Sequence, residues 1–369
     1  MILLSSIIEE FEERFFNKYK TAVLPSHKKA LLAMKQCRKE SGPHMLAQCT
    51  NDNCRRQRYI PHSCGHRNCP HCQNHESQQW IENQLNKQLP AQYYLITFTL
   101  PRQLRKLAWR NQKLIYSLMF QCIQELLKTF TQNDKKLQGM AGFTTVMHTH
   151  SRELGFHPHI HVVMVGGSIN RNSRLWRVKS GKYLFCYKAL AKVFRAKLLK
   201  AIVDHNLRVP KDCPKKWVVN CKNVGNGDKA LIYLGKYLYK GVIQEKDVLK
   251  CENGMVTFRY LHSKTNKYQT RTVSGEYFLW LLMQHVLPKG FRRVRCYGFL
   301  HPCSKKLIKL LQLILKFNPI NMYKKIREKA GIICKCCGAK MTILRTMIPG
   351  TEARRLALRN ILTGGGYVM

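Results

Sequence analysis

Acidic residues are scarce in this chain. Twenty Asp and Glu stand against sixty-four Lys and Arg in 369 residues, a formal charge of +44 with a pI near 10.0. Most of its cations therefore lack a partner within the protein, and a polyanion is the simplest one, since phosphate neutralisation with counterion release drives nucleic-acid binding. Also missing is any uncharged apolar run long enough to cross a bilayer, which excludes a membrane-spanning helix. The absence of a long basic amphipathic tail sets aside a membrane-surface protein. The opening "MILLSSIIEEFEERFF" has no basic n-region and turns acidic at Glu9 and Glu10, so it reads as an amphipathic helix rather than a signal peptide. No internal repeat stands out. Hydrophobic residues are not short, at 45%, which excludes disorder over most of the length.

Sixteen cysteines without an export signal are expected to be reduced, and the clustered ones to bind metal rather than form disulfides. Residues 5–20 and 26–40 read as helices, and the Cys/His-dense segment 49–75 has little periodicity. Residues 93–100, 142–151, 159–167 and 217–222 read as strands, and 175–185 as a hairpin around Ser-Gly. Helical patterns cover about 186–204 and the stretch after Asp228.

"FHPHIHVVMVGG" (156–167) places His157, His159 and His161 at alternate positions ahead of an apolar run. On a strand these share one face, continued by Val163 and Val165, while Ile160, Val162 and Met164 take the other. A row of imidazoles at a strand's entry can hold a divalent ion with coordination positions left open, so all three are candidate ligands. His148 and His150 on the adjacent predicted strand, and Glu153 in the connecting turn, are further candidates. The alternative is a set of partly exposed histidines in a chain that has fifteen.

In "YLGKYLYKG", Tyr233 and Tyr237 lie four residues apart on one helical face, with Lys236 and Lys240 beside them to favour a phosphate. A phenol, with an ordinary pKa of about 10, needs help as a nucleophile. A metal polarising the scissile phosphate supplies that help. Alone, such an aromatic pair is as readily a core contact; beside a histidine strand in a very basic chain it points to chemistry.

"CTNDNC" and "HSCGHRNCPHC" supply Cys49, Cys54, Cys64, Cys69 and Cys72, with His62, His66, His71 and His75 among them. Paired thiolates of this kind read as structural Zn²⁺. The spacing favours Cys49, Cys54, Cys69 and Cys72 as one tetrahedron, which leaves Cys64 and the histidines over and a second ion open. Arg55, Arg56, Arg58 and Arg67 make the knob a DNA reader; a purely structural clamp is the alternative. Near the other end, Cys334, Cys336 and Cys337 are too few for a site alone. His301 and Cys303 are candidates to complete one, against the reading of reduced core cysteines.

Together these stretches resemble the HUH endonucleases, and more narrowly the two-tyrosine rolling-circle transposases of the insertion sequence 91 family with their N-terminal zinc-binding domain. "SCGHRNCPHC", "FHPHIHVVMVGG", "YLGKYLYKGVI", "VTFRY" and "RRVRCYGFLHP" occur in the family's order. The resemblance implies an α+β fold: an antiparallel sheet with helices on one side, preceded by a small Cys/His zinc-binding domain and followed by a basic C-terminal region. The corresponding boundaries are 1–90, 91–300 and 301–369. It implies that His159 and His161 are the metal ligands, holding Mg²⁺ or Mn²⁺, and that Tyr233 and Tyr237 attack DNA phosphodiesters. His157 lies outside the minimal motif and rests on strand geometry alone. Arg67, Lys236 and Lys240 are the candidate DNA contacts. The implied partners are single-stranded DNA at transposon ends and target site, with a host helicase left open, in the bacterial cytoplasm at the nucleoid. A rolling-circle replication initiator or relaxase, and a non-catalytic zinc-dependent nucleic-acid-binding protein, are the competing readings.

Overall fold

The computed structural model describes residues 2–39, 43–72, 74–170, 173, 175–239, 241–262, 265–319 and 331–347. Of the expected site residues, Lys240 lies outside this set. The chain opens with α1 (Leu4–Tyr19), whose Ile7, Ile8, Phe11 and Phe15 are buried at helical spacing, and α2 (Pro25–Lys35). The hairpin β1 (His44–Cys49) and β2 (Gln57–Pro61) follows, then α3 (Asn74–Leu85). The middle of the chain comprises β3 (Tyr93–Thr99), α4 (Arg105–Arg110), α5 (Gln112–Asn133), β4 (Met140–His150), β5 (Phe156–Asn170) and β6 (Leu175–Val178). After it come α6 (Tyr187–Asp204), β7 (Val219–Asn223), α7 (Asp228–Tyr239), β8 (Val248–Glu252), β9 (Met255–Leu261) and β10 (Tyr268–Ser274). Last are α8 (Gly275–Met283), β11 (Val294–Gly298), α9 (Lys305–Ile314), β12 (Ile332–Ile333) and β13 (Lys340–Met347).

The result is a mixed α+β protein with antiparallel sheets. The largest runs β11-β4-β5-β3-β7, with β6 added to β5, and every pairing in it is antiparallel. β5 sits at its centre. Its alternate side chains divide as the period of two dictates: Ile160, Val162 and Met164 pack with α5 and α6, whereas Val163 and Val165 pack with α3, α7 and α9. Helices therefore cover both faces of the sheet rather than one, which corrects the one-sided arrangement expected from the sequence. The unbroken apolar run after His161 is the physical reason, because a strand buried on both faces has no polar side to alternate with.

The expected hairpin over 175–185 does not form either. β6 returns along β5, pairing Gly167 with Val178, and residues 179–186 make no strand. Gly167 explains the preference: a Cβ there would lie 2.5 Å from the Trp176 ring, so only glycine lets that indole lie across the strand.

Two smaller sheets complete the fold. β10-β9-β8 packs with α1, α2 and α8 in a second core that also takes in Cys69 and Cys72. The other, β12-β13-β1-β2, joins the two ends of the described chain, with Cys49 opposite Met341. No helix among the described residues is long and apolar enough to cross a membrane.

Candidate active site

Three imidazoles converge on the sheet face covered by α7. His148 of β4 pairs directly with His159 of β5, and His161 lies two residues further along. Their ring centroids stand 5.3 Å (148–159), 4.5 Å (148–161) and 4.9 Å (159–161) apart. One ring nitrogen from each falls within 4.8 Å of the other two. The rings of His159 and His161 are oriented from behind: His159 Nδ1 donates to the His157 carbonyl at 2.7 Å, and His161 Nδ1 bonds Thr97 Oγ1 of β3 at 2.9 Å. The bond to a carbonyl fixes the His159 tautomer and leaves its Nε2 for a ligand. His148 is different. Both of its nitrogens are buried without a hydrogen-bond partner, a state that buried polar atoms normally avoid. Burial holds all three rings neutral, pushing His161 down to about 3 and His148 well below the usual histidine value, and the neutral ring is the form that binds metal.

His157, expected as a third ligand, is not part of this group. Its ring meets the Arg105 guanidinium at the end of the strand, and the third imidazole of the group is that of His148 from the neighbouring strand. Cross-strand neighbours stand about 4.5–5.5 Å apart, closer than residues two apart on one strand at about 6.5–7 Å. A row on β5 thus offers two ligands to one point, and the adjacent strand offers the third. Glu153 is exposed and also lies outside the group.

α7 delivers the tyrosines. The ring of Tyr237 stacks on His148 at 4.3 Å and on His150 at 5.0 Å, and its hydroxyl is 2.6 Å from His150 Nε2. Tyr233, one turn earlier, has its ring 5.6 Å from that of Tyr237 and is 48% exposed. Burial raises both phenols above their ordinary value. The helix is seated from behind by α3, which follows the cysteine-rich segment. Gly235 allows α3 to approach, since a Cβ there would stand 2.2 Å from Ile81 Cγ1, and Ser77 Oγ donates to the Gly235 carbonyl at 2.9 Å. Beyond α7, His71 Nε2 pairs with the buried Glu245 at 2.7 Å.

Arg293 was given no role by the sequence reading. Its buried guanidinium donates through Nε to the Met147 carbonyl at 2.9 Å and through Nη1 to the Leu238 carbonyl at 3.2 Å. It thereby bridges the residue before His148 and the residue after Tyr237. Burial lowers it to about 10. The sequence signal lay in "RRVRCYG", where three arginines look equivalent until packing singles one out. Lys236 and Arg67 are exposed, the latter close enough to bias Arg293 and Tyr239 electrostatically.

The thiols form two groups, Cys37–Cys64–Cys69–Cys72 and Cys49–Cys54–Cys334–Cys337. The tetrahedron favoured by spacing, Cys49 with Cys54, Cys69 and Cys72, is split between them. Cys37, which sequence reasoning missed because it lies alone after α2, joins the first group. Its Sγ is 3.5 Å from those of Cys72 and Cys69. His301 and Cys303 join neither group: the His301 ring accepts from the Cys303 backbone N–H instead.

Comparison with known proteins gives this arrangement a context. Residues 142–307 match a family described as "Putative transposase", and residues 7–100 match one described as "Transposase zinc-binding domain". The chain is 31% identical to "Putative transposase y4qJ" of Sinorhizobium fredii, with 76% of each covered. It is a transposase of the insertion sequence 91 family. The transposase is also 26% identical to "Transposase for insertion sequence element IS801" of Pseudomonas savastanoi pv. phaseolicola, over 84% of its own length and 81% of that protein. No solved structure matches it. Family membership makes the transposase a DNA-cleaving, strand-transferring enzyme that works on insertion-sequence ends, and its zinc-binding domain with clustered thiols supports structural Zn²⁺. The first matched region contains the three imidazoles, both tyrosines and Arg293; the second contains α3 and the thiol loop behind them.

Proposed function

We propose that the transposase nicks and rejoins single-stranded DNA at insertion-sequence ends through 5′-phosphotyrosine intermediates, in a rolling-circle mode of transposition. The observation that carries this reading is the phenol of Tyr237 stacked on His148, a buried imidazole with both nitrogens unpartnered in a group of three. That donor set fits a divalent cation. His148, His159 and His161 would hold Mg²⁺ or Mn²⁺ with positions left for phosphate oxygens. When bound, the ion supplies charge stabilisation to the phosphoryl group under attack.

Tyr237 acts as the positioned nucleophile. Its oxygen attacks phosphorus while its proton passes to His150 Nε2, 2.6 Å away. The bond from phosphorus to the 3′-oxygen breaks, giving a 5′-phosphotyrosine and, after protonation, a free 3′-hydroxyl. Attack by a 3′-hydroxyl reverses the step, and because the covalent link keeps the bond energy no ATP is required. Tyr233, at the rim, serves the second strand end, which strand transfer needs and simple nicking does not. Arg67 and Lys236 contact the DNA backbone, and Cys37, Cys64, Cys69 and Cys72 hold the structural Zn²⁺ of the N-terminal domain.

Arg293 is a positioning residue. Lysine cannot reach both carbonyls at once, so Arg293→Lys should lower the cleavage rate about 10²-fold with single-strand affinity and KM unchanged. A matching loss of affinity would instead mark it as a DNA contact.

The test of the reading itself uses oligonucleotides carrying candidate element ends, incubated with the transposase and Mn²⁺. A protein–DNA adduct that survives SDS should form on single strands and not on duplex. Salt-sensitive binding with no adduct on any end would sink the nuclease reading and leave a zinc-dependent binding protein.

A further inference from the structure

The second thiol group shares no residue with the imidazoles and is built from two hairpins far apart in sequence. Cys49 ends β1 and Cys54 lies in the turn before β2, and Cys334 and Cys337 occupy the turn between β12 and β13. The two turns meet at the edge of the four-stranded sheet: Cys49 Sγ is 3.4 Å from Cys337 Sγ, Cys54 Sγ is 3.9 Å from Cys334 Sγ, and all four sulfurs lie within 4.8 Å of one another. In a tetrahedral Zn²⁺ site with bonds of about 2.3 Å, the sulfurs stand about 3.8 Å apart. A disulfide requires about 2.05 Å and involves only two sulfurs.

Each turn also directs backbone N–H groups at sulfur. Asn51 N–H donates to Cys49 Sγ at 3.4 Å. Cys334 receives the N–H groups of Cys337 and Cys336. The turn backbones are set for this, with Cys54 N bonded to the Asn51 carbonyl at 2.9 Å and Gly338, at φ +73°, to the Cys334 carbonyl at 3.0 Å. Among the described residues the apolar core around them is very small: the buried members of its cluster are Ala47, Cys49, Cys334 and Met341. A core of that size does not hold a four-stranded sheet closed, and domains so poorly filled are held by metals or disulfides.

We propose that Cys49, Cys54, Cys334 and Cys337 bind a second structural Zn²⁺, distinct from that of Cys37, Cys64, Cys69 and Cys72, which fastens the C-terminal hairpin to the N-terminal one. The family match to the zinc-binding domain spans 7–100 and contains only two of these four ligands. The site does not depend on the nuclease reading, and its test does not involve DNA.

Full-length protein purified reduced and without chelator should contain two Zn²⁺ per chain by elemental analysis. Cys334→Ser/Cys337→Ser should contain one, while Cys336→Ser, altering a thiol outside the group, should keep two. Amide exchange shows whether the loss is local. In the double serine variant β13 should lose protection, whereas β4 and β5 keep theirs, which also shows that the variant is folded. One Zn²⁺ in the wild type, two in the double variant, or fewer free thiols than sixteen in denatured, unreduced protein would overturn the proposal.

Discussion

Tyr233→Phe/Tyr237→Phe is expected to form no SDS-resistant adduct on any single-stranded element end, while still shifting that DNA in a gel at low salt. The substitution removes two oxygen atoms and leaves the ring stacks of Tyr237 on His148 and His150 in place. Its effect on stability is confined to one lost hydrogen bond to His150, worth about 1 kcal/mol. The single variants should separate the two roles. Tyr237→Phe should slow the first cleavage at least about 10³-fold, or about 4 kcal/mol of barrier, because Tyr233 sits a helical turn away and half exposed. Tyr233→Phe should still form the first adduct but fail to join its strand to a second end. Full adduct formation by the double variant would place the nucleophile elsewhere.

The second large effect concerns the imidazoles. His148→Ala, His159→Ala and His161→Ala should each reduce Mn²⁺-dependent cleavage by at least about 10³-fold, the scale of several kcal/mol that a metal supplies at phosphorus. DNA affinity should stay within a few fold, since it rests on lysines and arginines distributed over the chain. His157→Ala, whose ring faces Arg105, should stay within about tenfold of wild type. This contrast is the sharper half of the experiment, because a merely exposed histidine row would rank 157, 159 and 161 alike and leave 148 silent. Direct titration of Mn²⁺ into the wild type and His148→Ala checks the same point without turnover: the affinity should fall in the variant. Equal affinity would remove His148 from the ligand set.

Much of this architecture was readable in the chain because it depends on local periodicity. A period of two placed His159, His161, Val163 and Val165 on one face of β5, and a spacing of four stacked Tyr233 with Tyr237. What could not be read depends on which strands become neighbours. The displacement of His157 by His148 follows from the register of β4 against β5, and no pattern within either strand encodes it. The same holds for the thiols. Cys49 and Cys54 look like natural companions of Cys69 and Cys72, their nearest pair in sequence, until β1 pairs with β13 and draws Cys334 and Cys337 into reach. Arg293 escaped notice for a related reason, because its two carbonyl partners lie 146 and 55 residues away.

A sheet that joins two hairpins so far apart in sequence also sets a clock. Cys49 and Cys337 are 288 residues apart, and at about 5–20 residues per second translation needs roughly 15–60 s to travel between them. Through that interval β1 has no partner on one side, so the N-terminal hairpin of every nascent chain stays unfinished until β13 has been made. A polypeptide cut short before residue 334 never closes that edge, and keeps an open strand with Cys49 and Cys54 lacking the two thiols they meet in the folded protein.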